Sequence, residues 1–285
     1  MQVDRRLPAL LLDSSIEDGI GQVLGLTMLL GCEARREARL TSLSVSRNNL
    51  RTAAFCDLMA RFFRASLPVG MADEGVPETG IPPMLSAVLE RKTAEGKPVY
   101  PRNISRLNET ADPAALIRNA LTAQPDQNST VILCGPPVNL QGLLALPEGK
   151  TLVQKKVRTL VLAAPLGSAA EVAKLLAEWP SPAVFADESL GQSVKFPAES
   201  IDRDFDWATN HPLVDAYHAA NTMPYDAGSS AMAAALYAVH PDDGYFKVSQ
   251  QHLLADPDQK ERIVQAYRQA VSAKPAEPRR PGTGA

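Results

Sequence analysis

The sequence has little of what several protein classes require. Its three cysteines lie far apart and follow no spacing typical of a zinc site or a disulfide framework. Lys and Arg total 29 against 32 Asp and Glu, so no basic excess points to a nucleic-acid partner. No apolar run reaches the roughly 18 residues that a membrane span needs. We therefore expect a soluble globular protein that binds neither nucleic acid nor a membrane.

Strand-like and helix-like segments alternate along the chain. Apolar runs such as Leu7–Asp13 and Ser129–Cys134 are typical of central parallel strands. Apolar residues at helical spacing predict helices over Gly19–Leu30 and Ala227–Val239. Repeated strand–helix units predict an α/β fold with an open, mostly parallel sheet and helices on both faces.

The same reading gives the remaining elements. Further strands are predicted over Arg39–Ser46, Pro68–Met71, Thr159–Ala164 and Ala183–Ala186. Further helices are predicted over Asn49–Ala65, Met84–Lys92, Asp112–Ala123, Leu140–Leu146, Ser168–Glu178, Pro212–Asn221 and Gln259–Ser272. No linker interrupts this pattern, so we expect one domain over 1–272, with an irregular excursion over 75–101 and a disordered Pro/Gly-rich tail over 273–285.

Ligands of open parallel sheets bind outside the carboxyl ends of the strands. The residues that follow Leu12, Val45, Cys134 and Ala164 are therefore the first to consider. Four segments there and nearby resemble the inosine/uridine-preferring nucleoside hydrolases, in the right order and over most of positions 7–250: LLLDSSIEDGIGQVLGLTMLL, RLTSLSVSRNNLRTAAFCDLMARFF, TVILCGPPVNLQGLL and MPYDAGSSAMAAALYAVHPDDGYF. The first resembles a family loop that reads approximately D-T-D-I-G-N-D-V-D-D-A-L-A-L.

The resemblance implies a nucleoside-hydrolase-like fold and an N-ribosyl hydrolase. In that family a calcium ion held by aspartates binds the ribose diol and a water, and one aspartate removes the proton from that water. Calcium prefers about six to eight oxygen ligands, which carboxylates supply together with negative charge.

This sequence departs from the family at the residues that matter most. Without gaps, Asp13 matches the first aspartate of the family loop. Ser15 then stands at the position of the base and metal ligand, while Gly21 and Gln22 replace an Asp-Asp pair. The family's ribose-binding loop is missing after the predicted strand Thr159–Ala164, because the next helix follows almost at once.

Other family positions are retained. Asp226 matches a late metal-binding aspartate, and the Cys134 carbonyl matches a backbone ligand. Asn139 matches the asparagine of a G-P-L-T-N segment, and Tyr225 stands where many relatives carry histidine, so both are candidate substrate-binding residues. The candidate metal ligands are Asp13, Asp18, Cys134 and Asp226.

A second register, with a gap, retains more chemistry. It places Asp13 at the base position and Glu17-Asp18 on the acidic pair, so that Asp13, Asp18 and Asp226 could hold calcium. Against it, the gap disrupts the match over the following helix and puts the acidic pair before Gly19-Ile20-Gly21, a poor helix start.

Each candidate also has a structural interpretation. Asp226 could cap the helix Ala227–Val239, and Asn139 could cap the helix at Leu140. Asp13 could simply accept hydrogen bonds, and Glu17 and Asp18 could form a solvated loop pair.

We therefore predict a nucleoside-hydrolase-like protein that has lost calcium-dependent catalysis and serves as a binding or structural module. We then expect calcium to be absent or weakly bound. The expected partner, if there is one, is a nucleoside or ribose-like small molecule. A homo-oligomer is the other form of interaction that we consider. An active hydrolase with the rearranged site Asp13, Asp18 and Asp226 is the alternative. The compartment, cytoplasmic or exported after loss of a leader, is left open.

Overall fold

A computed structural model describes residues 7–71 and 80–276, which build one eight-stranded sheet. The strands are β1 (Ala9–Ser14), β2 (Arg39–Val45), β3 (Val69–Met71), β4 (Ser129–Cys134), β5 (Val157–Ala163), β6 (Ala183–Ala186), β7 (Lys247–Ser249) and β8 (His252–Leu254). Their order is β3-β2-β1-β4-β5-β6-β8-β7, and only the β7–β8 pair is antiparallel. The predicted α/β class is confirmed.

Twelve helices accompany the sheet within the described residues. They are α1 (Ile20–Ala34), α2 (Leu50–Phe62), α3 (Pro83–Leu89), α4 (Pro113–Thr122), α5 (Val138–Ala145), α6 (Gly149–Lys156), α7 (Ala169–Glu178), α8 (Glu188–Ser193), α9 (Ala198–Arg203), α10 (Pro212–Ala220), α11 (Ser230–Val239) and α12 (Lys260–Val271). None of these helices has the length and apolarity that crossing a lipid bilayer requires.

Several elements were not predicted from the sequence. The helices α6, α8 and α9 are short, and α6 buries only Gly149 and Val153, so none shows a long apolar face. The hairpin of β7 and β8 has an exposed first strand and therefore lacks the apolar alternation that marks a strand. Part of the predicted excursion 75–101 and most of the predicted tail 273–285 lie outside the described residues.

The core lies on both faces of the sheet, because successive strand residues point to opposite sides. Leu10 and Leu12 of β1 join the larger apolar cluster, which includes residues of α1, α2, α10, α11 and α12. Leu11, between them, joins the smaller cluster with residues of α4 to α7. The central strand β1 is consequently buried at every position.

Helix α1 is buried over eleven consecutive residues, Gln22 to Cys32, because it lies between the sheet, α11 and α12. Glycine permits its closest approach to α12. A Cβ atom at Gly31 would lie 1.8 Å from the backbone oxygen of Ala270. No side chain fits there without moving one helix away from the other.

We expect Gly31→Ala to lower the free energy of unfolding by about 3 kcal/mol, since an added methyl forces two packed backbones apart. The matched control is Gly142→Ala in α5, where the added Cβ would meet only the Ala114 methyl, at 3.5 Å. That change should raise stability by up to about 1 kcal/mol through helix propensity. Urea denaturation followed by circular dichroism measures both, and equal effects of the two substitutions would contradict this account of α1.

Candidate functional site

The strand order reverses between β1 and β4, and the loops that follow these strands are packed tightly together. Ser14 ends β1 and pairs with Cys134 at the end of β4. A Cβ atom at Gly135, the next residue, would lie 2.5 Å from the Ser46 hydroxyl oxygen and 2.9 Å from the Ser15 nitrogen. The crevice that such a switch point usually offers to a ligand is therefore narrow here.

Ser15, Gln22 and the Cys134 carbonyl meet at the centre of this edge. The Ser15 amide donates to the Cys134 carbonyl oxygen at 3.0 Å, and the Ser15 hydroxyl oxygen lies 3.2 Å from the same carbonyl oxygen. The Gln22 side-chain amide donates to the Ser15 hydroxyl at 3.1 Å, and its oxygen accepts from the Ser14 hydroxyl. All of these side chains are buried and uncharged.

The residue after Ser15 has an unusual backbone. Ile16 is fully buried and has φ of 49°, a left-handed conformation that β-branched residues rarely adopt. Its amide donates to the Gln22 side-chain oxygen at 2.9 Å and is also 3.1 Å from the Ser14 hydroxyl. Hydrogen bonds from both sides thus hold the β1–α1 loop in a strained shape, which costs about 1–3 kcal/mol at such positions.

Asp13 and Asn139 are in contact beneath this loop. The Asn139 side-chain amide donates to Asp13 Oδ1 at 2.9 Å and to the Val45 carbonyl at 3.0 Å. The Ser44 hydroxyl also donates to Asp13 Oδ1, at 3.0 Å. Asn139 is therefore not the cap of helix α5, which begins one residue earlier and has no side-chain cap.

The second oxygen of Asp13 is buried and makes no hydrogen bond. Burial raises the pKa of Asp13 from 3.8 to about 7, against the opposing effect of its hydrogen bonds from Asn139 and Ser44. Burial disfavours the charged form because water no longer solvates the carboxylate.

Asp18 and Glu17 form a separate cluster with Arg47, which follows β2. Arg47 Nη2 is 3.0 and 3.1 Å from the two Asp18 oxygens, and Ser15 donates to Asp18 Oδ2 at 2.6 Å. The Glu17 carboxylate accepts from Asn49 at 2.9 Å and from Thr52 at 2.7 Å. The expectation of a solvated Glu17–Asp18 pair is wrong for Glu17, because its side chain is only 4% exposed.

Asp226 and Tyr225 lie elsewhere. Asp226 is exposed and accepts a hydrogen bond from the Ala198 amide at 2.9 Å. It does not cap α11, which begins at Ser230 and is capped by the Ser229 hydroxyl through the Met232 amide. Tyr225 stacks on Tyr217 at 4.4 Å between ring centroids, and each hydroxyl donates to the carbonyl of the other residue.

The four candidate metal ligands thus do not converge: Asp18 and the Cys134 carbonyl both contact Ser15, whereas Asp13 binds Asn139 and Ser44, and Asp226 binds the Ala198 amide. Within 7–71 and 80–276, no group of three or more His, Cys, Asp or Glu residues is arranged to hold a metal ion. Glu171 lies in α7 as predicted and forms a capping box with Ser168, so it is engaged in helix capping.

A cleft of about 320 Å³ lies beside the switch point. Its described lining comes from the β1–α1 loop and the start of α1, the end of β5, α8 and the start of α11, and consists of Asp18–Gln22, Ala164, Pro165, Glu188, Gly191, Gln192 and Gly228–Ala231. The described lining contains carboxylates and amides but no Lys, Arg or His. This volume is near the lower end of the range of about 300–1,000 Å³ for small-molecule pockets.

The rule that ligands gather at the carboxyl ends of strands pointed to the residues after Val45, which include Ser46 and Arg47, but sequence reasoning gave neither a role. It missed Ser44, which lies within β2 beside β1. It missed Ser229 as a helix cap although serine is among the best N-cap residues.

Comparisons with known proteins agree with this architecture. No protein-family model and no curated protein matches the sequence. Among solved structures, a plant nucleoside hydrolase is 13% identical with a TM-score of 0.66, and the match covers 94% of this chain and 100% of that one. An inosine-uridine preferring nucleoside hydrolase from Bacillus anthracis is also 13% identical, with a TM-score of 0.61 and the same coverage.

Not every similar structure carries a hydrolase name. The type III effector protein XopQ, complexed with adenosine diphosphate ribose, is 12% identical with a TM-score of 0.65, and the match covers 94% of both chains. Identities this low establish the fold alone. The chain therefore has a divergent nucleoside-hydrolase-like fold, as its motifs predicted.

The buried carboxyl of Asp13 should make stability depend on pH. Its raised pKa means that the folded state keeps a proton that the unfolded state has lost between about pH 4 and pH 7. This contribution is full below about pH 4 and is lost as the pH rises towards 7, by up to about 1.4 kcal/mol per pH unit. Asp13→Asn should remove it.

The measurement is the free energy of unfolding of the wild type and of Asp13→Asn between pH 4 and pH 8. The wild type should lose stability relative to the variant as the pH rises. Parallel curves would show that Asp13 titrates normally in the folded protein.

Proposed function

We propose that this protein keeps the nucleoside-hydrolase fold without calcium-dependent catalysis and acts by binding a small molecule. The observation that carries the proposal is the mutual hydrogen bonding of Ser15, Gln22 and the Cys134 carbonyl. In the ungapped register these are the positions of the base, of one metal aspartate and of the backbone ligand. Neutral groups that satisfy one another stand where the resemblance implies carboxylates.

The residues present do not fit a calcium ion. Calcium needs about six to eight oxygens and a negative shell. Ser15 and Gln22 carry no charge, and the Cys134 carbonyl already accepts a hydrogen bond from the Ser15 amide. Asp13 has one oxygen bound by Asn139 and Ser44, and its raised pKa favours the neutral form.

Gly21 supports the same proposal by its packing. A Cβ atom at Gly21 would lie 2.8 Å from the Gly228 oxygen, so α1 and the start of α11 touch where the first residue of the family's acidic pair would stand. A carboxylate there would require the helices to separate. The rival register gains no support, because Asp18 pairs with Arg47 and Asp226 binds the Ala198 amide.

The neighbouring cleft is the proposed binding site. Its described walls offer carboxylates, amides and hydroxyls from Asp18, Glu188, Gln192 and Ser230. Such groups suit the hydroxyls of a ribose, and the absence of a cation among the described lining disfavours phosphates. We therefore propose an uncharged nucleoside or ribose-like ligand, a class consistent with the hydrolases that share this fold.

Isothermal titration with calcium tests the loss of the metal site. The wild type should give no heat at millimolar calcium. Asp226 is exposed and burial disfavours the charged form of Asp13, so these two carboxyls cannot form the calcium shell. The double variant Ser15→Asp/Gln22→Asp restores two carboxylates beside the Cys134 carbonyl and should gain calcium affinity. Tight binding by the wild type would overturn the proposal.

A third variant controls for charge alone. Gly21→Asp adds a carboxylate to the same edge but forces α1 against Gly228, so this variant should lose stability without gaining calcium affinity.

The wild type should also leave inosine and uridine intact in a ribose-release assay. Hydrolysis at an enzymatic rate would contradict the loss of catalysis.

Ligand binding in the cleft is tested with nucleosides and with adenosine diphosphate ribose, observed by protein NMR. We expect uncharged nucleosides to bind more tightly than the diphosphate. Glu188→Ala should weaken nucleoside binding about tenfold, as the loss of a charged hydrogen-bond acceptor does.

The matched control is Glu261→Ala on α12, an exposed glutamate that does not line the cleft. It should leave the affinity unchanged. Preference for the diphosphate, or equal effects of the two substitutions, would place the ligand elsewhere.

A further inference from the structure

We infer that Arg47 is the resident cation of this edge and supplies the positive charge that a metal ion would otherwise bring. The inference deepens the proposed function and rests on it, because it explains how the acidic loop remains ordered without calcium. It concerns the charged residues Arg47, Asp18 and Glu17, which contact the neutral network of Ser15 and Gln22 through the Asp18–Ser15 hydrogen bond.

A continuous chain of contacts joins the guanidinium to the switch point. Arg47 Nη2 binds both oxygens of Asp18, at 3.0 and 3.1 Å. Asp18 Oδ2 accepts from the Ser15 hydroxyl at 2.6 Å, and Ser15 lies 3.2 Å from the Cys134 carbonyl oxygen. The chain crosses β1 and connects the end of β2 to the end of β4.

The guanidinium also faces Glu17. Arg47 Nε is 3.6 Å from Glu17 Oε1, and the Glu17 side chain is only 4% exposed. A carboxylate removed from water needs both hydrogen bonds and an opposite charge. Asn49 and Thr52 supply the hydrogen bonds, and Arg47 supplies the charge.

Arginine suits this position better than lysine, whose ammonium group is compact and has no planar fork. Its planar group stays charged at all relevant pH values and can serve two carboxylates at once. Arg47 itself is 23% exposed, so its cost of desolvation is moderate. Arg47 is thus a positioning residue for the β1–α1 loop rather than a ligand contact.

Removing the Arg47 guanidinium would leave the Asp18 and Glu17 carboxylates without their positive partner. The Asp18 carboxylate, the Ser15 hydroxyl and the Cys134 carbonyl are connected through distances of 2.6 and 3.2 Å, with Glu17 adjacent. Carboxylate, hydroxyl and carbonyl oxygens are the donors that calcium prefers. A divalent cation should therefore replace the missing charge in an arginine-free variant.

The test is thermal unfolding of the full chain with and without millimolar calcium chloride. Arg47→Met should lower Tm by about 5 °C, and calcium should restore at least half of that loss. Potassium chloride at equal ionic strength should restore much less. Arg47→Met/Asp18→Asn should show no recovery with calcium, because the bridging carboxylate is gone.

Arg47→Lys keeps the experiment decisive if Arg47→Met does not fold, because it retains charge without the planar group. It should lose less than half of what Arg47→Met loses. The inference is overturned if Arg47→Met is as stable as the wild type, or if calcium and potassium act alike. Calcium stabilisation of the wild type would instead overturn the proposed function, so the two failures are distinguishable.

Discussion

The structure depends on how the buried polar groups at the carboxyl ends of β1 and β4 are satisfied. A buried donor or acceptor without a partner costs about 1–3 kcal/mol, and several meet at this edge. Ser15 contacts the Cys134 carbonyl, and Gln22 forms hydrogen bonds with Ser15, Ser14 and the strained Ile16 amide. Ser15, Gln22 and the Cys134 carbonyl are thus hydrogen-bonded to one another, and Ser15 also binds Asp18. This set fixes the loop from which the cleft begins.

Packing and chemistry are coupled through α1. Gln22 reaches the switch point because it stands in the first turn of α1, and the position of α1 is set by glycines that touch α11 and α12. Gly21 lies against Gly228 and Gly31 lies against Ala270. A carboxylate at position 21 would disturb this packing, because its Cβ atom would already lie 2.8 Å from the Gly228 oxygen. Position 22 differs, because a longer polar side chain already reaches the switch point from it.

The sequence predicted what depends on local pattern. The buried strand Ser129–Cys134 and the fold class follow from short apolar runs and alternation, and both match the structure. The contact of Asn139 with Asp13 joins residues 126 positions apart, and only the family resemblance drew attention to both. The Arg47–Asp18 pair spans 29 positions and has no local signal. The family resemblance gave Asp226 a ligand role and its place before the predicted helix gave it a cap role, whereas the nearer Ser229 is the cap.

Two neighbouring acidic groups are accommodated by different physical means. Asp18 is partly exposed and forms an ion pair with Arg47, whose guanidinium also faces the buried Glu17. Asp13 accepts its hydrogen bonds from the uncharged side chains of Asn139 and Ser44, and burial raises its pKa to about 7. Below that pH a proton neutralises Asp13, whereas the Arg47 guanidinium balances the charge of Asp18. Because neither solution requires a metal ion, hydrogen bonds and the Arg47 guanidinium are sufficient to keep the described residues of this edge ordered.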